Sequence, residues 1–151
     1  MNSEELEQLL INYDGYVGVY SKLSTPNYIN VNEFFIVNTA CYPCTDVINP
    51  KHWTVLFRLN ERKYWFFDSY GNSPKFYGLK LPITLGADVE YGTRQIQSFN
   101  SDLCGLYCVY FCHYVIKQRR SFDNFLSLFD AENFALNDEF IGKIFSLKKP
   151  V

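Results

Sequence analysis

The chain has 151 residues, 48% apolar and 19% aromatic, with a formal net charge of −2. That length suits one domain with its own core, and the composition excludes a disordered chain. The acidic balance argues against tight phosphate binding, no apolar stretch is long enough to span a membrane, and the cysteines at 41/44 and 104/108/112 fit a reducing, intracellular compartment.

The acidic start Met1-Asn2-Ser3-Glu4-Glu5 is unlike the basic start of a signal peptide, so secretion is not expected. Residues 2–12 read as a helix, with Asn2 as cap, Glu5 at the third helical position and a stripe of Leu6, Leu9 and Leu10. Asp14-Gly15 and Gly18 break the pattern, and 19–32 reads as loop. Glu33–Val37 is a short strand, and Cys41–Pro50 is irregular. His52–Leu59 and Tyr64–Phe67 read as a hairpin around Asn60–Lys63, ended by Gly71–Pro74. Residues 75–92 resist assignment; Thr93–Gln97 is expected to be a last strand. A long helix follows over 103–118, then one over 122–129 capped by Ser121. Asn137 starts another, with Phe140, Ile141, Ile144 and Phe145 turned inward. The fold class is α+β in a single domain, 1–151.

The run Gln97-Ser98-Phe99-Asn100-Ser101-Asp102-Leu103-Cys104 goes from turn-forming residues into apolar ones, as a helix start does. Asn100, Ser101 or Asp102 is positioned to cap it, leaving Cys104 in the first turn. There the unpaired N–H groups and the macrodipole favour a thiolate. Gly105 permits close approach of another chain, as a cleft-lining helix requires. Gln97 is an amide donor within reach of the sulfur. Nucleophile and amide donor together suit acyl transfer. The plainer alternative is a buried helix whose Cys104, Cys108 and Cys112 are small core residues.

His52 and Asp68 lie at the open ends of the hairpin strands. With the loop centred on Glu61, Thr54 faces Asp68 and His52 faces Tyr70. His52 and Asp68 are then diagonal neighbours on one face, roughly 7–8 Å apart. An even-length loop would put them on opposite faces, so an odd loop is expected. The pair reads either as an edge histidine with a turn-capping aspartate, or as the base and orienter of a cysteine hydrolase. The other histidine, His113, lies nine residues past Cys104 on a different helical face, which leaves His52 as the base.

This ordered set resembles the adenain-type cysteine proteases: adenovirus endopeptidases and relatives from Polinton/Maverick elements, adintoviruses and virophages, distantly related to the SUMO/ubiquitin-like proteases. The residues that carry the resemblance are His52-Trp53, Phe66-Phe67-Asp68-Ser69-Tyr70-Gly71, Gln97 and Cys104-Gly105-Leu106-Tyr107-Cys108, all within residues 35–115. The resemblance implies a papain-like α+β fold and an endopeptidase cutting after glycine in viral or virus-like precursor or capsid proteins. It implies His52 as base, Asp68 as its orienter and Cys104 as nucleophile, with the Gln97 side chain and the Cys104 backbone N–H as the oxyanion hole. Trp53 becomes a wall beside the dyad and, with Gly105, part of the substrate cleft. A monomer is expected, in the host cytoplasm or nucleus and packaged in virions. Adenoviral enzymes are longer and basic, carry an acidic residue that is typically Glu where this chain has Asp68, and use a disulfide-joined activating peptide and DNA. This chain is acidic and has no cysteine between Cys44 and Cys104. It is closer to the shorter viral and transposon relatives; neither DNA nor any other cofactor is expected to be required, and an activating peptide stays open as a partner.

Two other readings share these residues: a protease that deconjugates ubiquitin-like modifiers, and a catalytically inactive binding module on the same fold. Cys41-Tyr42-Pro43-Cys44 resembles a redox pair or half a zinc site, but no helix follows it, and completing a zinc set with Cys108, Cys112 or His113 would leave Cys104 unexplained, so an incidental loop pair and no metal are expected. The basic run Lys117-Gln118-Arg119-Arg120 complements a helix C-terminus, and Asp130 and Glu132 read as loop charges.

Overall fold

The computed structural model describes residues 1–40 and 52–146. The predicted irregular segment at 41–50, with Cys41 and Cys44, lies outside them. The described chain is α+β: a five-stranded mixed sheet with four α-helices.

Helix α1 (Ser3–Leu10) opens with the expected capping box, in which Asn2 Oδ1 accepts from Glu5 N at 2.8 Å and Glu5 Oε1 accepts from Asn2 N at 3.4 Å. It stops two residues earlier than the sequence suggests. Leu6 and Leu10 are fully buried, whereas Leu9 faces solvent.

The strands are β1 (Tyr16–Tyr20), β2 (Phe34–Asn38), β3 (Trp53–Asn60), β4 (Lys63–Phe67) and β5 (Asp88–Tyr91), in spatial order β1-β2-β3-β4-β5. Neither edge strand is expected from the sequence, and both pair in parallel with their inner neighbours. Gly15 and Gly18 obscure β1, and in β5 no residue is fully buried, so neither shows a clean period of two. The strand expected at 93–97 does not form. That segment is irregular and is pinned to Ser69 O by Ile96 N at 2.9 Å and Gln97 N at 3.1 Å.

The β3–β4 hairpin has the register expected at its open end but reaches it differently. Its tip is a two-residue turn of Glu61 and Arg62 between the paired Asn60 and Lys63, not an odd loop. Leu59 is an extra residue on β3, and this bulge restores the pairing Arg58↔Tyr64 and Val55↔Phe67. Continuing that register puts Thr54 opposite Asp68 and His52 opposite Tyr70.

Both faces of the central strands are covered, which is why β2 is buried along most of its length. One face carries Phe34, Ile36, Val55, Phe57 and Phe67 under the helices. The other carries Phe35, Val37, Leu56 and Phe66 under Ile29 and the 79–89 segment. Helix α2 (Cys104–Phe111) packs on the first face and continues into a π-helical stretch, Cys112–Lys117. Helix α3 (Phe122–Leu126) is capped by Ser121, which accepts from Asn124 N at 3.0 Å, and ends three residues short of the expected 129. Helix α4 (Phe134–Ser146) begins before Asn137, and Asn133 rather than Asn137 accepts from its first turn, at Leu136 N. Ile141 is buried and Phe145 packs on the core, but Phe140 is partly exposed.

Phe111 ties α2 to this core. It stacks on Phe67 at 4.9 Å between centroids and meets the edges of Phe122 and Phe125. Phe111→Ala is expected to lower stability by about 3–5 kcal/mol, as truncation of a fully buried aromatic does, read as a fall in the urea midpoint with an unchanged slope.

Candidate active site

Three elements converge at one end of the sheet. His52 immediately precedes β3, Asp68 immediately follows β4, and Cys104 is the first residue of α2. No side chain caps α2; its N-cap is Leu103. Of the three expected capping residues, Ser101 turns instead to Leu103 N at 3.1 Å. The Gly105 backbone N–H in the first turn of α2 and the Trp53 backbone N–H of β3 both stabilise the sulfur's anion.

His52 Nε2 lies 2.5 Å from Asp68 Oδ1, with both side chains buried. The other ring nitrogen is left for the thiol of Cys104, to which His52 is hydrogen bonded. Burial by itself would lower the His52 pKa. The hydrogen bonds and negative charges of Asp68 and Cys104 outweigh it and push the pKa up to about 9. Burial likewise works against the Cys104 thiolate, but the His52 hydrogen bond and charge, then the two backbone N–H groups, bring that thiol below its ordinary value. Both shifts favour an imidazolium beside a thiolate.

Asp68 is saturated with donors. Oδ1 also accepts from Tyr70 N at 3.0 Å, and Oδ2 accepts from Asn72 N at 3.0 Å and Tyr77 OH at 2.5 Å. A carboxylate with this many partners keeps one orientation. The turn that supplies the amides closes at Gly71, whose φ of +78° and 2.7 Å Cβ clearance to Arg94 C exclude a side chain.

Gln97 is fully buried. Ser69 Oγ donates to its Oε1 at 2.5 Å, which fixes the amide so that Nε2 points along the loop entering α2 and donates to Ser101 O at 3.0 Å. Trp53 and Gly105 are both buried, and the chain that approaches Gly105 is Met1. A Cβ on Gly105 would meet Met1 Sδ at 3.0 Å and Trp53 Cδ1 at 3.4 Å, while Trp53 Nε1 donates to Met1 O at 3.0 Å. Trp53 is thus a packed wall beside the thiol.

The hairpin register expected from the sequence places Tyr70 opposite His52, and the two rings stack with centroids 4.3 Å apart and planes 10° apart. Ser69 lies inside the Asp68-Ser69-Tyr70 run but carries no signal of its own. Tyr77 was not legible at all, since it falls in the unassigned 75–92 region. His113 takes no part; it contacts Tyr13 and Gln118. A cleft of about 820 Å³ lies at the opposite end of β3 and α2, lined by Tyr13, Phe57, Trp65, Val115 and Lys117, and contains none of these site residues. The perturbed titration of His52 and Cys104, not cavity size, marks the site. Among the described residues no group of His, Cys, Asp and Glu side chains is arranged to hold a metal ion.

No family model matches the chain, and no curated protein matches it by sequence.

Cys108 and Cys112 are fully buried, and burial holds both thiols well above the usual range; Cys108 also donates to Trp53 O at 3.2 Å. Iodoacetamide is therefore expected to modify Cys104 at mildly acidic pH while Cys108 and Cys112 stay inert, as mapped by mass spectrometry of the native protein. His52→Ala should slow that labelling and move its onset to higher pH. Earlier labelling of Cys108 or Cys41 would remove Cys104 as the nucleophile.

Proposed function

We propose that this protein is a cysteine endopeptidase with a papain-like, adenain-type arrangement of its site. The observation that carries the reading is the buried Cys104–His52–Asp68 chain, in which one imidazole nitrogen is held by a carboxylate and the other serves a thiol at a helix start. The order His52, Asp68, Gln97, Cys104 along the sequence supports it.

The chemistry follows from these groups. The Cys104 thiolate attacks the carbonyl carbon of the scissile peptide, and the carbonyl oxygen takes the negative charge. The Gln97 Nε2 amide and the Cys104 backbone N–H stabilise that oxyanion. Collapse of the intermediate breaks the C–N bond as imidazolium His52 gives its proton to the leaving amine. The resulting thioester is hydrolysed as neutral His52 takes a proton from water, the hydroxide adds to the thioester carbonyl and the C–S bond breaks, which releases the acid and restores the Cys104 thiolate beside imidazolium His52. Asp68 holds the ring and stabilises its charged form throughout. The substrates that fit the sequence resemblance are precursor proteins of a virus or virus-like element, cut after glycine.

Purified protein is expected to hydrolyse glycine-ended fluorogenic peptides. Cys104→Ala should abolish turnover, and Gln97→Ala should lower kcat about 10²–10³-fold, as loss of one oxyanion donor does. Turnover of modifier-tail substrates alone would favour a deconjugating enzyme. No turnover, with no labelling of Cys104, would mean an inactive binding module.

Activity is expected to rise with pH as the Cys104 thiol ionises, below its ordinary value, and to fall as His52 loses its proton near pH 9. It should not need DNA, because the net charge of −2 gives little attraction for phosphate. Turnover that appears only with added polyanion and vanishes at moderate salt would overturn that expectation.

A further inference from the structure

The two residues at 137 and 138, which the sequence suggests as a helix start, lie inside α4, and their side chains grip the backbone on either side of Gln97. Asn137 is 3% exposed, and its Nδ2 donates to Ile96 O at 2.9 Å. The same amide is locked by Asp130, whose N donates to Asn137 Oδ1 at 2.8 Å and whose O accepts from Nδ2 at 2.9 Å. Burial raises the pKa of Asp138, and hydrogen bonds from Tyr107 and, on the other side of Gln97, from the Ser98 backbone amide offset part of that rise. Tyr107, from the first turn of α2, donates to Asp138 Oδ1 at 2.8 Å, and its hydroxyl also lies 3.4 Å from Ile96 O.

Nothing in the peptide chemistry described above uses Asn137, Asp138 or Tyr107, yet each bears on the residues flanking the oxyanion donor. The segment 93–97 has no strand partners and is held by individual hydrogen bonds instead of a ladder. On the sheet side Ser69 O accepts from Ile96 N and Gln97 N, and Ser69 Oγ binds the Gln97 side chain. On the helix side Arg94 donates to Leu126 O and Phe129 O, Gln97 Nε2 donates to Ser101 O, and the residues that flank Gln97 are held by α4 and Tyr107.

We infer that Asn137 and Asp138 of α4, with Tyr107 of α2, are positioning residues that clamp Ile96 and Ser98 and thereby aim the Gln97 amide at the oxyanion. The inference rests on the reading of Gln97 as an oxyanion donor. A clamp of this kind acts on kcat rather than on substrate affinity, because the oxyanion exists only after attack, and small misplacements of a catalytic donor cost rate steeply. It leaves the thiolate–imidazolium pair alone, since Asn137, Asp138 and Tyr107 contact neither His52 nor Asp68 among the described hydrogen bonds.

The test uses Asp138→Ala, Asp138→Asn and Asn137→Ala in the full chain, each read in two ways. In ¹⁵N NMR spectra the wild-type Gln97 side-chain amide should show the dispersed, slowly exchanging signals of a fixed group. Asp138→Ala and Asn137→Ala should shift and broaden them without freeing the amide, which Ser69 and Ser101 still hold, and Asp138→Asn, which keeps an acceptor for Ser98 and Tyr107, should leave them at their wild-type positions. On a glycine-ended peptide, Asp138→Ala should lower kcat about ten- to a hundredfold with KM within twofold, while the rate of Cys104 alkylation stays at the wild-type value. Asp138→Asn should restore most of kcat. Because Asn137 is buried and its alanine variant risks unfolding, the partly exposed Asp138 decides the outcome. Gln97 signals unmoved by Asp138→Ala, or alkylation falling in step with kcat, would overturn the clamp. A wild type that hydrolyses no peptide while its Gln97 signals respond as expected would sink the protease reading and leave the clamp standing.

Discussion

The antiparallel pairing of β3 with β4 is the constraint on which the site depends. Side chains alternate across a strand, so a one-residue slip would turn His52 away from Asp68. The two-residue turn at Glu61-Arg62 by itself would produce that slip. The bulge at Leu59 undoes it within one residue and delivers the pair to a common face. The acid–base partners are thus aligned by a defect at the far end of the hairpin.

Burial of the resulting pair is costly, and the surroundings offset the cost with hydrogen bonds. Two charges withdrawn from water need partners for every lone pair and proton. Asp68 receives four donors, from a side chain before β3, two turn amides and the Tyr77 hydroxyl. The thiolate receives His52, two backbone amides and an uncapped helix start. Helix α2 is apolar on all sides because it runs through the core, which keeps its deeper cysteines neutral and reserves ionisation for its first residue.

Elements with strong local signals were legible: α1 through its capping box, the hairpin through its aromatic and β-branched runs, α2 through the change from turn-formers to apolar residues. Edge strands were not. Tyr16–Tyr20 and Asp88–Tyr91 pair on one side only and bury little, so their hydrophobic period is weak. The segment at 93–97 resembles a strand in composition, but its Ile96 and Gln97 amides both bond to Ser69 O beyond the end of β4, so no ladder forms. The start of α4 was misread because Asn137 and Asp138 have the composition of a cap, while their side chains are spent on tertiary contacts with Ile96 and Ser98.

By itself the sequence determined which chemistry was available. It holds one cysteine at a helix start, one histidine and one aspartate at matching strand ends, and a glutamine just upstream of the thiol, and these are properties of residue type and spacing. Only the tertiary structure decided how the site is oriented. The bulge at Leu59, the Tyr77 hydroxyl on Asp68, the Ser69 bond that turns the Gln97 amide and the approach of Met1 to Gly105 all set geometry that residue type leaves open. Such contacts depend on where the backbone goes in space, and no local pattern of residues encodes that.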